Sequence, residues 1–306
     1  MEEKKGLSQE EIVRGLRATG LKAGDVVLVH SAMRTFGHID CGAETVIAAF
    51  LEVIGARGTL VVPTFTFAHE GEEASIIDPA SDPSEMGIIT ETLRRRPDAL
   101  RSTAYRHSFA AVGPRAGVIT EVDPALSSFD LRSSFGVLLA LGAQVVLLGM
   151  SYAHSTSHHF AEFVCEVPYR HTLDMLVKVR RPDGTVVQQP MIDYQPKPSD
   201  SGDYYGLRHP DFNRLGRMLE EQNRVGTAAI GNCAVRRFSM RDLVDLAQVE
   251  AEKDYNIFRT PEGQSDYNTP LDFGTVVLSP EMLDGAGRPN QYSWCVLDVS
   301  QLKMPD

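Results

Sequence analysis

Three histidines and a glutamate lie close together in the segment SYAHSTSHHFAEF, residues 151–163. The segment follows the apolar run AQVVLLGM, so it begins where a buried strand is predicted to end. If a helix starts near Thr156 or Ser157, then His159 and Glu162 stand three residues apart on one helix face. A carboxylate beside an imidazole fixes its tautomer and stabilises its charged form, which makes the histidine an effective proton acceptor.

Hydrogen-bond donors are predicted beside the same imidazole. Thr156 and Ser157 would cap the helix start and bring hydroxyl and amide groups to it. Such donors suit acyl transfer, because a tetrahedral oxyanion must be held while the nucleophile loses a proton. A capped, solvated helix start without catalysis explains the same residues, so the segment alone leaves both interpretations open.

A metal site is the third interpretation of this segment. His154 and His158 are four residues apart, a spacing that places two imidazoles on one helix face. A zinc ion needs at least three protein ligands, however, and the HExxH pattern is missing. We therefore predict that no metal is bound.

A second candidate region is VHSAMRTFG, residues 29–37, which follows the first predicted strand. Loops at the carboxyl ends of parallel strands bind ligands in open α/β sheets. Ser31 and Thr35 offer hydroxyl groups there, and Arg34 offers a guanidinium that suits a phosphate. Neither the GxxxxGK[ST] nor the GxGxxG phosphate-binding pattern occurs, and an ordinary strand-to-helix turn remains an alternative.

A pairing of serine and histidine occurs at His107 and Ser108 in RSTAYRHSFAAVG, residues 101–113. It raises the possibility of a nucleophilic serine. The GxSxG elbow is absent, however, and adjacent residues on a strand point to opposite faces. In VVPTFTF, residues 61–67, Thr64 and Thr66 share a strand face that would line a cleft or pack in the core.

The elements that must position these residues follow from the hydrophobic pattern. A capping box at Ser8 and Glu11 predicts a first helix that stops at Gly20. Four apolar runs predict buried strands, and five stretches have helical spacing. The predicted strands are 26–30, 58–67, 108–113 and 143–149, and the further helices are 42–55, 84–97, 211–225 and 239–252, with one beginning near 156.

This alternation predicts an α/β fold with a central, largely parallel sheet flanked by helices. After residue 170 the pattern changes: Pro-Asp-Gly stands between two extended runs in TLDMLVKVRRPDGTVVQQP, which predicts a smaller β-hairpin-containing subregion. We divide the chain into a main α/β domain, residues 1–250, and a C-terminal extension of unknown role, residues 251–306.

Composition excludes several classes of protein. The net charge of −11 argues against a nucleic-acid-binding surface and weakly favours a cationic small molecule as ligand. The N-terminal segment lacks the apolar core of a signal peptide, and no apolar run reaches membrane-spanning length. The four cysteines show no CxxC pairing, which is typical of reduced thiols. We therefore expect a cytoplasmic location.

The order and spacing of these motifs resemble the aminoglycoside N(3)-acetyltransferase family, whose members move an acetyl group from acetyl-CoA to an amine of an aminoglycoside antibiotic. The resemblance covers the chain from the first helix to about residue 249. It is carried by VHSAMRTFG, GTLVVPTFTF, DPASDPSEMGIITE, RSTAYRHSFAAVGPRA, VVLLG, TSHHFAE and VPYR.

The resemblance implies roles for individual residues. The family signature is close to D-x-N-T-S-L-H-x-A-E, and AHSTSHHFAE occupies it here. His159 falls on the family's histidine and would be the general base, oriented by Glu162, with Thr156 matching beside them. The residues implied on the coenzyme A side are Ser31, Met33, Arg34, Gly37, Thr64, Ser108 and Ser157.

The chain also departs from the family pattern. Ala153 and Ser155 replace the signature aspartate and asparagine, and Ala104-Tyr105 replaces a His-Pro pair. The H-P-x-x-x-P-F-G-x-x-S-P region appears as DPALSSFDLRSS, residues 123–134. Because such positions mostly shape the pocket, the departures affect the acceptor more than the chemistry.

We therefore expect an acyl-CoA-dependent N-acyltransferase that uses acetyl-CoA as co-substrate. The expected acceptor is a cationic amine, on an aminoglycoside or on a related amino sugar or nucleoside. Two alternatives stay open: a Ser/His thioesterase-type hydrolase using Ser108 or Ser157 with His159, and a coenzyme A-binding member without turnover. The extension after residue 250 would cover the acceptor cleft or join two subunits in a homodimer.

Overall fold

The computed structural model describes residues 6–67, 75–197 and 211–259. Its strands, in chain order, are β1 (Val26–Ser31), β2 (Thr59–Pro63), β3 (Ile76–Ile77), β4 (Leu100–Arg101), β5 (Phe109–Val112), β6 (Gln144–Leu148), β7 (Arg170–Arg180), β8 (Val186–Pro196), β9 (Val225–Ile230) and β10 (Cys233–Ser239). Its α-helices are α1 (Gln9–Ala18), α2 (Ala43–Ile54), α3 (Ile88–Arg94), α4 (Ala116–Thr120), α5 (Ser134–Ala140), α6 (Ser157–Val164), α7 (Phe212–Glu221) and α8 (Met240–Lys253). Three 3₁₀ helices cover Met33–Phe36, Tyr152–His154 and Tyr255–Phe258.

The central sheet has a parallel core. Within the described ranges it contains seven strands in the order β4-β5-β2-β1-β6-β10-β9. Strands β2, β1 and β6 are parallel to one another, whereas β5 and β10 flank them in the antiparallel sense. Since β4 and β9 pair antiparallel with these flanking strands, β4 and β9 run in the direction of the core. The predicted α/β fold with a largely parallel sheet is confirmed.

Helices cover both faces of this sheet. Val26 and Leu28 of β1 belong to a core that includes Phe135 of α5 and Phe160 of α6. The alternate residues of β1 point to the opposite core, which α1 and α2 close with buried aliphatic side chains. The capping box at the start of α1 is present as predicted, and both of its reciprocal hydrogen bonds are formed.

The predicted hairpin forms strands β7 and β8, which pair antiparallel from Arg170↔Pro196 to Arg180↔Val186. Strand β3 adds to β7 and completes a separate three-stranded sheet. The hairpin is longer than the predicted 172–190, so it carries the first residues of β7 back beside α6. Gly184, in the turn, has a φ of 84°, which only glycine adopts without strain.

The bounds of three predicted elements were wrong, and two strands were not predicted. The strand predicted at 58–67 covers only Thr59–Pro63, so Thr64 and Thr66 follow the strand and do not lie on one strand face. Helix α3 begins at Ile88, because Gly87 before it has a φ of 106°; residues 84–87 therefore lie outside the helix predicted at 84–97. Strands β9 and β10 were not predicted, and the helix predicted at 211–225 ends at Glu221.

Beyond residue 250, α8 continues to Lys253, and Phe258 is fully buried in the core. Most of the predicted extension, including the strand-like runs GTVVLS and WCVLDV, lies outside the described residues, and the domain division stays a prediction. Cys41, Cys165 and Cys233 are free thiols. Among the described helices, none is long and apolar enough to cross a membrane. The cytoplasmic location stays a prediction.

Candidate active site

Two of the predicted regions meet at the carboxyl ends of β1 and β6. These strands are parallel neighbours, and Ser31 pairs with Leu148 at their last register position. The 3₁₀ helix Met33–Phe36 follows β1, and α6 follows β6 after a short connection. Gly149, directly after β6, allows this approach: its φ is 63°, and a methyl group there would collide with Thr35.

The predicted base and its carboxylate partner are in contact. Atom Nδ1 of His159 lies 2.6 Å from Oε2 of Glu162. The Glu162 side chain is 1% exposed, whereas the His159 side chain keeps 26% of its surface accessible. Because Nδ1 faces the carboxylate and Nε2 makes no hydrogen bond among the described residues, Nε2 is the nitrogen available to a substrate.

The imidazole of His159 is biased toward its neutral form. Burial lowers the pKa of His159 below 6.5, and the guanidinium of Arg170 lowers it further, whereas Glu162 acts in the opposite direction. A neutral imidazole with a free Nε2 is the state that accepts a proton. Its ring packs edge-on against Phe212 of α7, with ring centroids 4.7 Å apart, and this contact fixes its plane.

Tyr169 and Arg170 complete the site, and no role for them was predicted. The Tyr169 hydroxyl donates to Oε1 of Glu162 at 2.8 Å, and Arg170 Nε lies 2.9 Å from Oε2. Burial, followed by the Glu162 charge, raises the pKa of Tyr169 well above its usual range, so the phenol stays a donor. The motif VPYR marks these residues in the sequence, but only the fold shows that they turn back onto Glu162.

Thr156 and Ser157 occupy the start of α6, but neither caps it as predicted. Thr156 stands at the N-cap position in a helical backbone conformation, and its side chain makes no capping hydrogen bond. The Ser157 side chain is fully buried. The backbone N–H groups of both residues make no hydrogen bond to the described part of the chain, as is usual in the first turn of a helix.

The loop after β1 presents accessible residues to the same edge of the sheet. Ser31 and Met33 are partly exposed, and Arg34 and Gly37 offer a side chain and a backbone surface beside them. Thr35 is buried instead, and its hydroxyl donates to the carbonyl of Ala32. The loop therefore has accessible groups for a ligand, while Thr35 holds it in shape.

Thr64 and Ser108 lie together at the ends of β2 and β5, but their hydroxyl groups are engaged. The Ser108 hydroxyl donates to the carbonyl oxygen of Thr64 at 2.8 Å. Arg101 donates to the Thr64 hydroxyl and carbonyl and lies 3.4 Å from the Ser108 hydroxyl. Both residues are buried, so they support this edge of the sheet; direct contact with a coenzyme stays a prediction.

A solvent-open cleft lies beside His107, with about 440 Å³ of empty volume when the solvent at its mouth is counted. The ring of His107 lies 4.8 Å from that of Phe129, which lies 6.1 Å from that of His159. Two aromatic rings thus connect the cleft to the base, although His159 is not among the described residues that line it. The polar residues of its lining are Ser102, Thr103, Tyr105, Arg106, Asp123, Ser127, Ser128, Ser133, Ser134 and Asp193.

His154 and His158, the two candidate metal ligands, lie within the described ranges. No group of three or more His, Cys, Asp or Glu side chains there is arranged to hold a metal ion. His158, one of the two candidate ligands, is fully buried and stacks on Phe212 with centroids 5.0 Å apart.

Comparison with known proteins gives one consistent result. A family model described as aminoglycoside 3-N-acetyltransferase matches residues 28–250. Aminoglycoside N(3)-acetyltransferase VII of Streptomyces paromomycinus is 31% identical over 279 residues, covering 84% of this chain and 96% of that protein. The crystal structure of the aminoglycoside acetyltransferase AAC(3)-IVa apoenzyme is 26% identical, with a TM-score of 0.68 over 86% of this chain and 95% of that one. A histidine-to-alanine mutant of AAC(3)-IVa, solved in complex with a gentamicin, matches with a TM-score of 0.67 and 26% identity, over 85% of this chain and 94% of that one.

Proposed function

The chain belongs to the aminoglycoside 3-N-acetyltransferase family, and we propose that it transfers the acetyl group of acetyl-CoA to an amine of an aminoglycoside or a related amino sugar. The observation that carries this proposal is the contact between His159 Nδ1 and buried Glu162, which leaves Nε2 free at an accessible edge of the sheet.

The proposed reaction is a direct transfer with His159 as general base. The acceptor nitrogen attacks the thioester carbonyl, and Nε2 accepts the proton that this nitrogen loses. A C–N bond forms, the C–S bond breaks, and the proton passes from the imidazolium to the departing thiolate. Glu162 keeps the ring oriented through Nδ1 throughout. General-base assistance typically contributes a factor of about 10² to 10⁴ in rate.

The oxyanion of the tetrahedral intermediate needs donors near the thioester carbonyl. The backbone N–H of Thr156, a partly exposed residue at the start of α6, makes no hydrogen bond to the described residues and supports such a site, because helix-start amides attract negative charge. This refines the role of Thr156: its amide, rather than its hydroxyl, is the proposed donor. Hydrogen bonds of this kind are worth several kcal/mol in acyl transfer, roughly a factor of 10² to 10³ in rate.

Acetyl-CoA is the proposed co-substrate, and the loop after β1 is its proposed binding segment. Met33 and Gly37 offer an apolar and a backbone surface, and the exposed guanidinium of Arg34 suits a coenzyme A phosphate. Ser31, at the end of β1, lies at the same sheet edge as α6. The thioester would thus approach His159 along the edge where the two parallel strands end.

The cleft beside His107 is the proposed acceptor site. Its lining is rich in serine hydroxyls, which suit a sugar, and it includes two carboxylates. Asp193 is ion-paired with Arg106 at 3.2 Å, so Asp123 is the carboxylate we assign to a cationic amine. The names of related proteins point to aminoglycosides as their acceptors.

Mass spectrometry of an amine panel tests this proposal. Each reaction contains the protein, acetyl-CoA and one amine, taken from aminoglycosides, simpler amino sugars and nucleosides. We expect an added acetyl mass on at least one amine, together with free thiol release that depends on that amine. The matched control is His159→Gln, which keeps a polar side chain but removes the base.

Two other outcomes would contradict the proposal. Equal thiol release with and without an amine would indicate a hydrolase. The described residues do not favour a nucleophilic serine, because the Ser108 hydroxyl donates to the Thr64 carbonyl and the Ser157 hydroxyl makes no hydrogen bond to a described histidine. Coenzyme A binding by calorimetry without product from any amine would indicate a member that binds its ligand without turnover.

A further inference from the structure

Glu162 is the centre of a cluster in which its carboxylate contacts the His159 imidazole, the Arg170 guanidinium and the Tyr169 hydroxyl. Its Oε2 lies 2.6 Å from His159 Nδ1 and 2.9 Å from Arg170 Nε. Its Oε1 accepts from the Tyr169 hydroxyl at 2.8 Å. A buried carboxylate that faced an imidazole alone would draw a proton onto the ring. The resting base would then be charged and unable to accept a proton.

Arg170 also contacts the imidazole directly. Its Nη2 atom lies 3.0 Å from Nδ1 of His159, so the guanidinium faces the ring and the carboxylate together. A guanidinium only donates, and it does not lose its proton in proteins. The 2.6 Å contact between Nδ1 and Oε2 places a proton between those two atoms. The imidazole is then the Nδ1–H tautomer. The approach of Nη2 to Nδ1 is therefore a contact between two donors and not a hydrogen bond, and a second proton on the ring would face the positive charge of Arg170.

The guanidinium is held firmly in this place. Arg170 is the first residue of β7, and its side chain is 12% exposed. Its Cζ lies 5.3 Å from the ring centroid of Tyr194, on the paired strand β8, at a distance typical of a cation over an aromatic face. The hairpin therefore presents one fixed positive charge to the pair on α6.

We propose that Arg170 is a positioning residue that keeps His159 neutral. Its positive charge balances the charge of Glu162, so that the carboxylate orients the imidazole without stabilising its protonated form. This inference rests on the proposed role of His159 as general base. A partly buried histidine next to a buried carboxylate thus stays ready to accept a proton.

Several other titratable groups surround the imidazole, and they bear on its protonation. Burial lowers the pKa of His107 and of His158 to about 3 each, so both rings are neutral near pH 7 and add no charge. Tyr169 and Tyr194 stay neutral phenols, because burial raises the pKa of both. Within the described part of the chain, the charged groups that face His159 are thus Glu162 and Arg170.

The test is an NMR titration of the His159 ring, assigned by the loss of its signals in His159→Gln. We expect Arg170→Gln to raise the titration midpoint of His159 by about one pH unit or more, the size of effect that a close charge produces. Arg170→Lys keeps the charge and should stay near the wild-type midpoint. Glu162→Gln should move the midpoint the other way, because Arg170 is then unopposed.

Arg180→Gln is the matched control. Arg180 lies on the same strand, is ion-paired with Asp78 at 3.1 Å and is 40% exposed, so its loss should leave the His159 midpoint unchanged. The acid limb of kcat/KM for transfer should follow the ring titration in every variant.

An unchanged midpoint in Arg170→Gln, or an Nε2–H tautomer in the wild-type ring, would overturn the role of Arg170. The ring titration does not require turnover. A failure of the proposed acetyl transfer would therefore leave this readout intact, and the two hypotheses fail separately. If Arg170→Gln does not fold, Arg170→Met keeps the apolar stem without the charge and should show the same upward shift; an unchanged midpoint in Arg170→Met would overturn the role equally.

Discussion

At the scale of single residues, reactivity depends on what surrounds one imidazole. His159 and Glu162 were predicted as a pair from their spacing alone, because a helix places residues three apart on one face. Their partners were not predictable in this way: Tyr169 and Arg170 lie beyond the end of α6, and a chain reversal brings them back. Spacing identifies partners within one element, whereas partners from neighbouring elements require the fold.

The first prediction concerns the pH dependence of the wild-type protein. Since burial and Arg170 lower the pKa of His159 below 6.5, the neutral base is fully present above pH 6.5 and is lost as the pH falls through the folded value. The acid limb of kcat/KM should therefore have its midpoint below 6.5. The pH profile is measured with two acceptors of different basicity, because a midpoint that is the same for both belongs to the enzyme and not to the amine. A shared midpoint above pH 6.5 would contradict the assignment to His159.

At the scale of elements, the site depends on two segments that follow adjacent parallel strands. The pattern of apolar runs located β1, β5 and β6 to within one residue at each end, because each is a short buried run between turn signals. It extended β2 through residues 64–67, where Thr and Phe continue to alternate after the strand has ended. It did not reveal β9, whose run VGTAAI consists mostly of small residues, or β10, where Arg236 and Arg237 interrupt the apolar pattern. In the structure Arg236 is buried and ion-paired with Glu220 at 2.7 Å, a tertiary contact that no local pattern encodes.

The second prediction concerns the packing of the loop after β1 against the end of β6. Gly149→Ala introduces a methyl group against Thr35 in addition to an unfavourable positive φ. We expect it to displace the loop, to lower the free energy of unfolding by more than about 1–2 kcal/mol, and to raise KM for acetyl-CoA several-fold. Chemical denaturation and steady-state kinetics measure the two effects.

Gly142→Ala is the control for this experiment. Gly142 has a φ of 66°, close to the 63° of Gly149, but a methyl group there meets nothing within 4 Å. Gly142→Ala should lower the free energy of unfolding only by the cost of the positive φ, and KM for acetyl-CoA should stay unchanged. Equal effects of the two substitutions on KM would show that contact with Thr35 does not shape the coenzyme site.

At the scale of the whole molecule, three histidines are held neutral: His30 and His158 are buried, and His107 is partly buried. Burial is the main cause in each case, and it lowers the pKa of His30 to about 4 and those of His107 and His158 to about 3. Two cores enclose the central sheet. In the core that contains α6, the His158 ring stacks on Phe212, and the His107 ring lies tilted against Phe129. Near pH 7 these three rings therefore carry no charge.

The third prediction follows from these buried rings. Because their folded pKa values lie below 6.5, the stability they contribute is present above pH 6.5 and is lost as the pH falls toward 4. Unfolding at pH 5 should take up nearly one proton for each ring, which corresponds to about 1.4 kcal/mol per pH unit for each. Urea unfolding at several pH values measures this slope.

His158→Asn should reduce the slope by about one proton. His38→Asn is the matched control, because the His38 side chain is 69% exposed, and it should leave the slope unchanged. A wild-type free energy of unfolding that does not change between pH 6.5 and 5 would contradict the neutral state of the buried rings.

The central claim is that His159 is the general base of acetyl transfer, and the most direct test is kcat of His159→Ala with acetyl-CoA and an acceptor identified from the amine panel. We predict a loss of about 10² to 10⁴ in kcat, with the calorimetric affinity for coenzyme A nearly unchanged, since the ring does not belong to the loop after β1. Wild-type kcat in this variant would contradict the claim.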